Sequence, residues 1–451
     1  MAEKLGMDAL QVASHARTLS GYSGSLEGIA EQVSQAGFAS QNPTLFGLIP
    51  GVNLVMTGGS ILLAQSAAAD VRAALASAAE LTGKLFGDIQ QQIFASSAED
   101  GSYILGFMSA ADAQALYDEI MRDPGKLSEM SAAEVAAFWQ YLSQEQSDQL
   151  VREYPLIVGN TSGVPLVVRG EANRQTAIDI LNSGQPISDK QRDYLEMVED
   201  GEIMLVTFDP DKARIVEAIN YATWDGENFV ERPEPPGEVI TYVPGTLSNM
   251  EDFYSRENYQ NFVLGLIGEA DSVAFVYKDG FFPGEHDVDN MPVAILEASD
   301  QQLALDSGVT LANFHDDVMR DPLLNDVPQT IIGHSWGLAN ITASEIAGAQ
   351  YDNVISLAGA YMPDGWEPNP ETDYGHYSYN DWLEAAHRAD HLIPGAQVGS
   401  GDFPGDNGAF DSHIYGAPDN LDLMGNHELI HDANSPSNEE ALDAIRDQIY
   451  G

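Results

Sequence analysis

Two regimes of hydrophobic spacing divide the chain. Over residues 3–36, Leu5, Leu10, Val12, Leu19, Leu26, Ile29 and Val33 recur at helical intervals. Over 60–95, Leu62, Val71, Leu75, Leu81, Leu85, Ile89 and Ile93 do the same in an Ala-rich setting. A Gly/Pro-rich stretch joins the two, so the pattern predicts an antiparallel helical hairpin across 1–98. Shorter helices are predicted near 109–122 and 131–152. The second opens on Ser131 with Glu134 three residues later, the spacing of a capping box.

From residue 201 the period shortens. Apolar runs at 202–208, 239–243, 273–277, 330–332, 354–357 and 376–379 read as strands, and 213–222 as a strand or a short helix. Helical segments at 255–268, 299–320, 337–349, 382–391 and 438–450 alternate with them or follow them. Such alternation predicts an α/β class domain, a mostly parallel sheet flanked by helices, over 201–451. A helical leader over 99–200 packs on it, and the all-α hairpin over 1–98 precedes both.

One segment raises a membrane question. Residues 32–69 contain no Asp, Glu, Lys, Arg or His, and the apolar part from Leu45 to Ala64 is long enough to cross a bilayer. Pro50-Gly51 and Gly58-Gly59 would break such a helix, so the turn of the hairpin is the better reading. The opening residues lack the basic and apolar regions of a secretory signal peptide. The sequence therefore predicts a cytoplasmic protein or one exported without a cleaved signal.

Charge narrows the partners. With 70 acidic and 19 basic residues the net charge is −51, which disfavours nucleic acid and bare anionic lipid surfaces. Between Asp279 and Gly451 there are 31 Asp and Glu against only Arg320, Arg388 and Arg446, and nine of the ten histidines lie there. The absence of cysteine removes disulfides, thiolate metal sites and a cysteine nucleophile.

Within this acidic half, Gly333-His334-Ser335-Trp336-Gly337 fits Gly-x-Ser-x-Gly. The pattern alone is weak in a chain with 41 glycines. Its setting strengthens it, because a predicted strand precedes it and a predicted helix follows. A serine in that turn projects its hydroxyl beyond the sheet, with a helix N-terminus behind it to favour developing negative charge. Such a nucleophile needs an acid and then a base later in the chain. Asp381, after the strand at 376–379, is the preferred acid, with Asp390 and Asp373 as rivals. His427, read as lying in a loop, is the preferred base, with His431 and His413 as rivals. The oxyanion hole takes one amide from Trp336 and one from the loop after the third strand, where Pro244-Gly245-Thr246-Leu247 points to Thr246 or Leu247.

A second motif competes. His427-Glu428-Leu429-Ile430-His431 reads His-Glu-x-x-His, which on a helix binds zinc with the glutamate as general base. Asn434-Ser435-Pro436 stops any helix soon afterwards, and only Glu439 and Glu440 remain as third ligands. Zinc peptidase chemistry is therefore the alternative to a serine triad, which needs no metal or cofactor. A non-enzymatic secreted interaction protein is a further alternative.

The runs Trp139–Ser143, Leu150–Pro155 and Val158–Pro165, with Arg169, Asn173 and Arg174, the Pro244-Gly245-Thr246 loop and the Gly-His-Ser-aromatic-Gly elbow, resemble an actinobacterial family of α/β-hydrolases over roughly residues 135–450. Residues 1–98 are similar to the helical hairpins of type VII secretion substrates. The resemblance implies an α/β-hydrolase fold, Ser335 as nucleophile, Asp381 as acid and His427 as base. It also implies esterase or lipase-like action on a small-molecule or lipid ester, and secretion without a cleaved signal, with the hairpin meeting a secretion partner or a membrane.

Overall fold

The computed structural model describes residues 110–287, 291–380, 402–416 and 422–451. The predicted hairpin over 1–98, its apolar segment, the helix at 382–391, Asp381 and Asp390 lie outside the described residues. All described residues belong to one compact unit, Met108–Gly451. Among them, no helix is long and apolar enough to cross a membrane.

Among the described residues ten strands are formed: β1 (Met204–Asp209), β2 (Arg214–Ile219), β3 (Ala222–Trp224), β4 (Phe229–Glu231), β5 (Glu238–Val243), β6 (Ser272–Asp279), β7 (Gln329–His334), β8 (Asn353–Leu357), β9 (Asp373–Tyr379) and β10 (Asp411–Tyr415). β3 and β4 make a separate hairpin. The other eight form one sheet in the order β1-β2-β6-β5-β7-β8-β9-β10. β2 runs antiparallel to both β1 and β6, and every other pair is parallel. Counting sheet strands alone, the order is 1-2-4-3-5-6-7-8.

The central strands are buried on both faces, which is why they read as continuous apolar runs. Side chains alternate across the sheet. Val239, Val243 and Ile331 join one core with Phe275, Tyr277 and Trp336, while Ile240, Tyr242 and Ile332 join the opposite core with Phe253, Phe262 and Ile445.

The leader is all helical. Ser131 does close a capping box with Glu134, but the predicted helix over 131–152 is two helices, Ala132–Trp139 and Gln144–Glu153. The second has its own capping box, Ser143 with Gln146, which supplies a new start where one continuous helix was expected. A third core gathers Phe138, Trp139, Leu150 and Val158. The longest leader helix, Leu166–Asn182, lies on β1 and is anchored by polar groups. The buried Arg169 guanidinium donates to Asp317 at 3.0 Å and to the Thr207 hydroxyl at 2.7 Å, and Asp317 also accepts the Gly163 N–H at 3.0 Å. The Asn173 amide donates to the Gly159 and Leu205 carbonyls, each at 2.9 Å.

Candidate active site

β7 ends at His334, and the helix Gly337–Ile346 begins after Ser335 and Trp336. The connecting Ser335 takes φ +54°, a left-handed conformation that is costly for a residue with a Cβ. The surroundings hold it there. The Ser335 N–H donates to the Leu357 carbonyl at 2.9 Å, and the Ser335 carbonyl accepts from the Ala360 N–H at 3.0 Å. Two glycines make the turn sterically feasible. A Cβ on Gly337 would lie 2.3 Å from the Val243 carbonyl oxygen, and one on Gly245 would lie 2.8 Å from Ser335 Cβ. The strand–turn–helix predicted from residues 330–343 is thus formed, with the strain that aims a nucleophile out of a sheet.

The Trp336 and Thr246 N–H groups meet no acceptor among the described residues. The Leu247 N–H, the other amide considered, is donated to the Pro283 carbonyl at 2.7 Å, with Leu247 itself at φ +70°. Leu247 is therefore a structural anchor of the loop, and of the two candidate amides that of Thr246 remains without an acceptor among the described residues.

His427 is buried and lies in a short helix, Leu423–Leu429, rather than in the predicted loop. Asp422 starts that helix by accepting the Gly425 N–H at 2.9 Å. The His427 carbonyl accepts from His334 Nε2 at 3.1 Å, and the two rings are 4.9 Å apart. His427 thus sits against the residue that immediately precedes Ser335. The neighbouring Asn426 amide donates to the Asn380 carbonyl at 3.1 Å, tying the His427 helix to the residue just before Asp381.

The rivals separate clearly. Asp373 begins β9 and pairs with Asn353, at the amino end of the sheet, away from the elbow. His413 is on the edge strand β10, stacked on Tyr377 at 4.9 Å and 3.3 Å from Asp411. His431 is buried but engaged at both nitrogens: Nε2 lies 2.9 Å from the Glu428 carboxylate and Nδ1 3.2 Å from the Tyr242 hydroxyl.

Sequence reasoning missed an imidazole stack behind the serine. His334 and His431 are parallel at 4.1 Å. Burial pushes the His334 pKa well below the usual imidazole value; neighbouring His431 and His427 act the same way, and Glu428 opposes them. His334 is therefore neutral, and because a carbonyl only accepts, its proton is on Nε2. For Glu428, desolvation opposes ionisation, but the His431 hydrogen bond and the imidazoles outweigh it and hold the carboxyl below its usual range. A chain from the exposed Glu428 carboxylate through the buried His431 and His334 imidazoles thus reaches the His427 backbone.

The same groups test the zinc motif. The three side chains whose ligand atoms fall within 4.8 Å of one another are His334, Glu428 and His431, not the pair His427 and His431. The helix ends at Leu429, so His431 lies beyond it and the four-residue spacing no longer places both histidines on one helical face. Both His431 nitrogens and His334 Nε2 are already engaged in hydrogen bonds, so an ion held by both rings would have to displace at least one of those bonds.

Sheet order and strained serine together define the α/β-hydrolase fold. No family model matches the chain, and no curated protein matches it. Similar solved structures include the dienelactone hydrolase of Anabaena variabilis, at 12% identity over 52% of this chain and 88% of that one, with a TM-score of 0.29. A carboxylesterase of Mesorhizobium loti gives 13% identity over 53% and 96%, with a TM-score of 0.29. The 2,6-dihydroxy-pseudo-oxynicotine hydrolase gives 14% over 71% and 90%, with a TM-score of 0.30. These likenesses are too distant to bear on chemistry, and the fold rests on the chain's own strand order.

Proposed function

We propose that the chain is a serine hydrolase that cleaves carboxylic esters through an acyl-enzyme. The observation that carries this reading is Ser335 at φ +54° between β7 and its helix, with the Trp336 and Thr246 amides unspent beside it. In this scheme His427 removes the Ser335 proton as Oγ attacks the acyl carbon, and the two amides stabilise the oxyanion. His427 then protonates the leaving alcohol, and water attacks the acyl-enzyme with the same base. Asp381 orients His427, a role supported by the Asn426–Asn380 bond at its threshold.

The acidic surroundings favour neutral or cationic esters, lipid esters among them, over anionic ones. Export through the hairpin, by a route that leaves no cleaved signal, completes the proposal. The decisive experiment compares wild type with Ser335→Ala for labelling by a fluorophosphonate probe and for turnover of short acyl esters. Label and turnover that vanish together support the serine mechanism; undiminished labelling of the Ala variant overturns it. The convergence of His334, Glu428 and His431 gives zinc a specific second reading. Stoichiometric zinc whose removal abolishes turnover would favour that reading, and full turnover after chelation rejects it.

A further inference from the structure

Lys278 is an anomaly in this chain. It is one of few basic residues in the acidic half's approach, it sits at the end of an apolar strand, and its side chain is wholly buried. Burying an ammonium is costly unless every donor is met. All three are: Nζ donates to the Ala213 carbonyl at 3.0 Å, the Gly280 carbonyl at 2.6 Å and the Glu285 carboxylate at 2.7 Å. The same Glu285 oxygen accepts the Phe282 N–H at 3.0 Å, and the Glu285 N–H returns to the Phe282 carbonyl at 3.2 Å. One ion pair thereby closes the turn 280–285 on itself.

The turn so closed contacts the Trp336 side chain and Leu247, the neighbour of Thr246, and so reaches both donors assigned to the oxyanion indirectly. Its Phe282 ring meets the Trp336 ring edge-on at 5.1 Å, next to the first donor. Its Pro283 carbonyl takes the Leu247 N–H at 2.7 Å and so holds the residue following the second donor, Thr246. A second tie, from the Gly284 N–H to Glu297 at 2.7 Å, fixes the turn from its other side. Donors act on a transition state only when they are already in place, because reorganising them costs what they would supply.

We propose that the Lys278–Glu285 pair is a positioning device for the oxyanion hole, clamping the turn 280–285 so that Pro283 and Phe282 hold the Thr246 loop and Trp336 in register. This rests on the serine-hydrolase reading. Neither residue is placed to touch substrate.

The test uses the full chain, a short acyl ester, and a trifluoromethyl ketone, which forms a tetrahedral serine adduct bearing an oxyanion. Fluorophosphonate labelling counts competent sites. Glu285→Ala should lower kcat per labelled site about 10- to 100-fold while KM changes by less than about 3-fold, and the ketone's inhibition constant should rise in step with the fall in kcat/KM. Glu285→Gln keeps an acceptor for Phe282 and should recover most of kcat. A kcat per labelled site within about 3-fold of wild type in Glu285→Ala, or a loss without weaker ketone binding, overturns the proposal. If Glu285→Ala does not fold, Phe282→Leu leaves the ion pair and removes the edge contact with Trp336. It should show the same signature more weakly, and an unchanged kcat there overturns the proposal. Absence of label and turnover in the wild type is a different result, which overturns the hydrolase reading and the positioning role with it.

Discussion

The two ends of the parallel strands are built on opposite terms. At the carboxyl ends, the non-glycine residues Leu247, Ser335 and Ala358 follow β5, β7 and β8 with φ of +70°, +54° and +46°. Each left-handed residue costs about 1–2 kcal/mol. At the amino ends, polar groups are paired, and the left-handed non-glycine there, Asn220 at φ +61° beside the start of β6, donates its side-chain amide to the Ser272 carbonyl at 3.2 Å. Glu238 accepts the Thr330 hydroxyl at 2.7 Å, and Asn353 donates to that hydroxyl oxygen at 3.1 Å. Asp352 accepts the Gln329 N–H at 2.7 Å, and the Gln329 side chain donates to the Leu324 and Val327 carbonyls, each at 2.9 Å. Under the proposed function, most of the strain lies where donors must stay open for a ligand, and hydrogen-bond satisfaction lies where only stability is at stake.

The largest effect that would break this contrast is at the serine. Ser335→Ala should lower ester turnover about 10⁴-fold or more, as loss of a nucleophile does. Ser335→Gly should be equally inactive yet more stable by about 1 kcal/mol, because glycine accepts a positive φ without penalty. Thermal melts that show no gain for the Gly variant over the Ala variant would mean the elbow is not strained.

His427 comes next. His427→Gln should retain the helix Leu423–Leu429 and its carbonyl bond from His334, but cost about 10³- to 10⁴-fold in kcat through loss of the proton shuttle. A variant of His413 on the edge strand should stay near wild type, and steady-state kinetics on both separates base from bystander.

Gly245→Ala probes the crowding. Its Cβ would lie 2.8 Å from Ser335 Cβ and 2.9 Å from the His334 carbonyl, so the loop or the elbow must move. Displacing the Thr246 donor should reduce kcat about 10²-fold. A fall confined to KM would place the damage in substrate binding instead.

How much of this was legible depended on burial. β5, β6, β7 and β8 read directly, because strands covered on both faces leave unbroken apolar runs. The helix Leu166–Asn182 did not, because its buried face includes Arg169, Asn173 and Thr176, which a hydrophobicity pattern scores as exposed. β10, Asp-Ser-His-Ile-Tyr, is a half-covered edge whose Asp411, Ser412 and Ile414 are exposed, and it gave no apolar run. The break at 140–143 was readable from Ser143 and Gln146, a second capping box hidden by the first. Gly-x-Ser-x-Gly located the left-handed turn at Ser335 and the open amide of Trp336 that follows it. Nothing in the pattern could choose between Thr246 and Leu247, because that depends on the Pro283 carbonyl, 36 residues away in sequence. His334 was visible only as the variable residue of the elbow, since stacking on His431 is a property of tertiary packing.

The smallest effect sharpens the other end of the sheet. Burial pushes the Glu238 carboxyl up to about 7, with Asp352 adding to the shift and the Thr330 hydrogen bond opposing it. A carboxyl raised in the folded state favours folding while protonated. Its contribution is therefore complete below the unfolded value near 4.5 and is lost as pH climbs through about 7. Glu238→Gln holds the group neutral at every pH and keeps a carbonyl oxygen for the Thr330 hydroxyl. The variant should match wild type in stability at pH 4 and exceed it at pH 8 by of order 1 kcal/mol. Its kcat should be unchanged, because the residue lies a full strand length from Ser335. Denaturant melts at the two pH values, run beside ester kinetics, measure both halves of that expectation. A stability gain accompanied by lost turnover would show that the amino end of the sheet is coupled to the elbow and that the division between the two ends is not real.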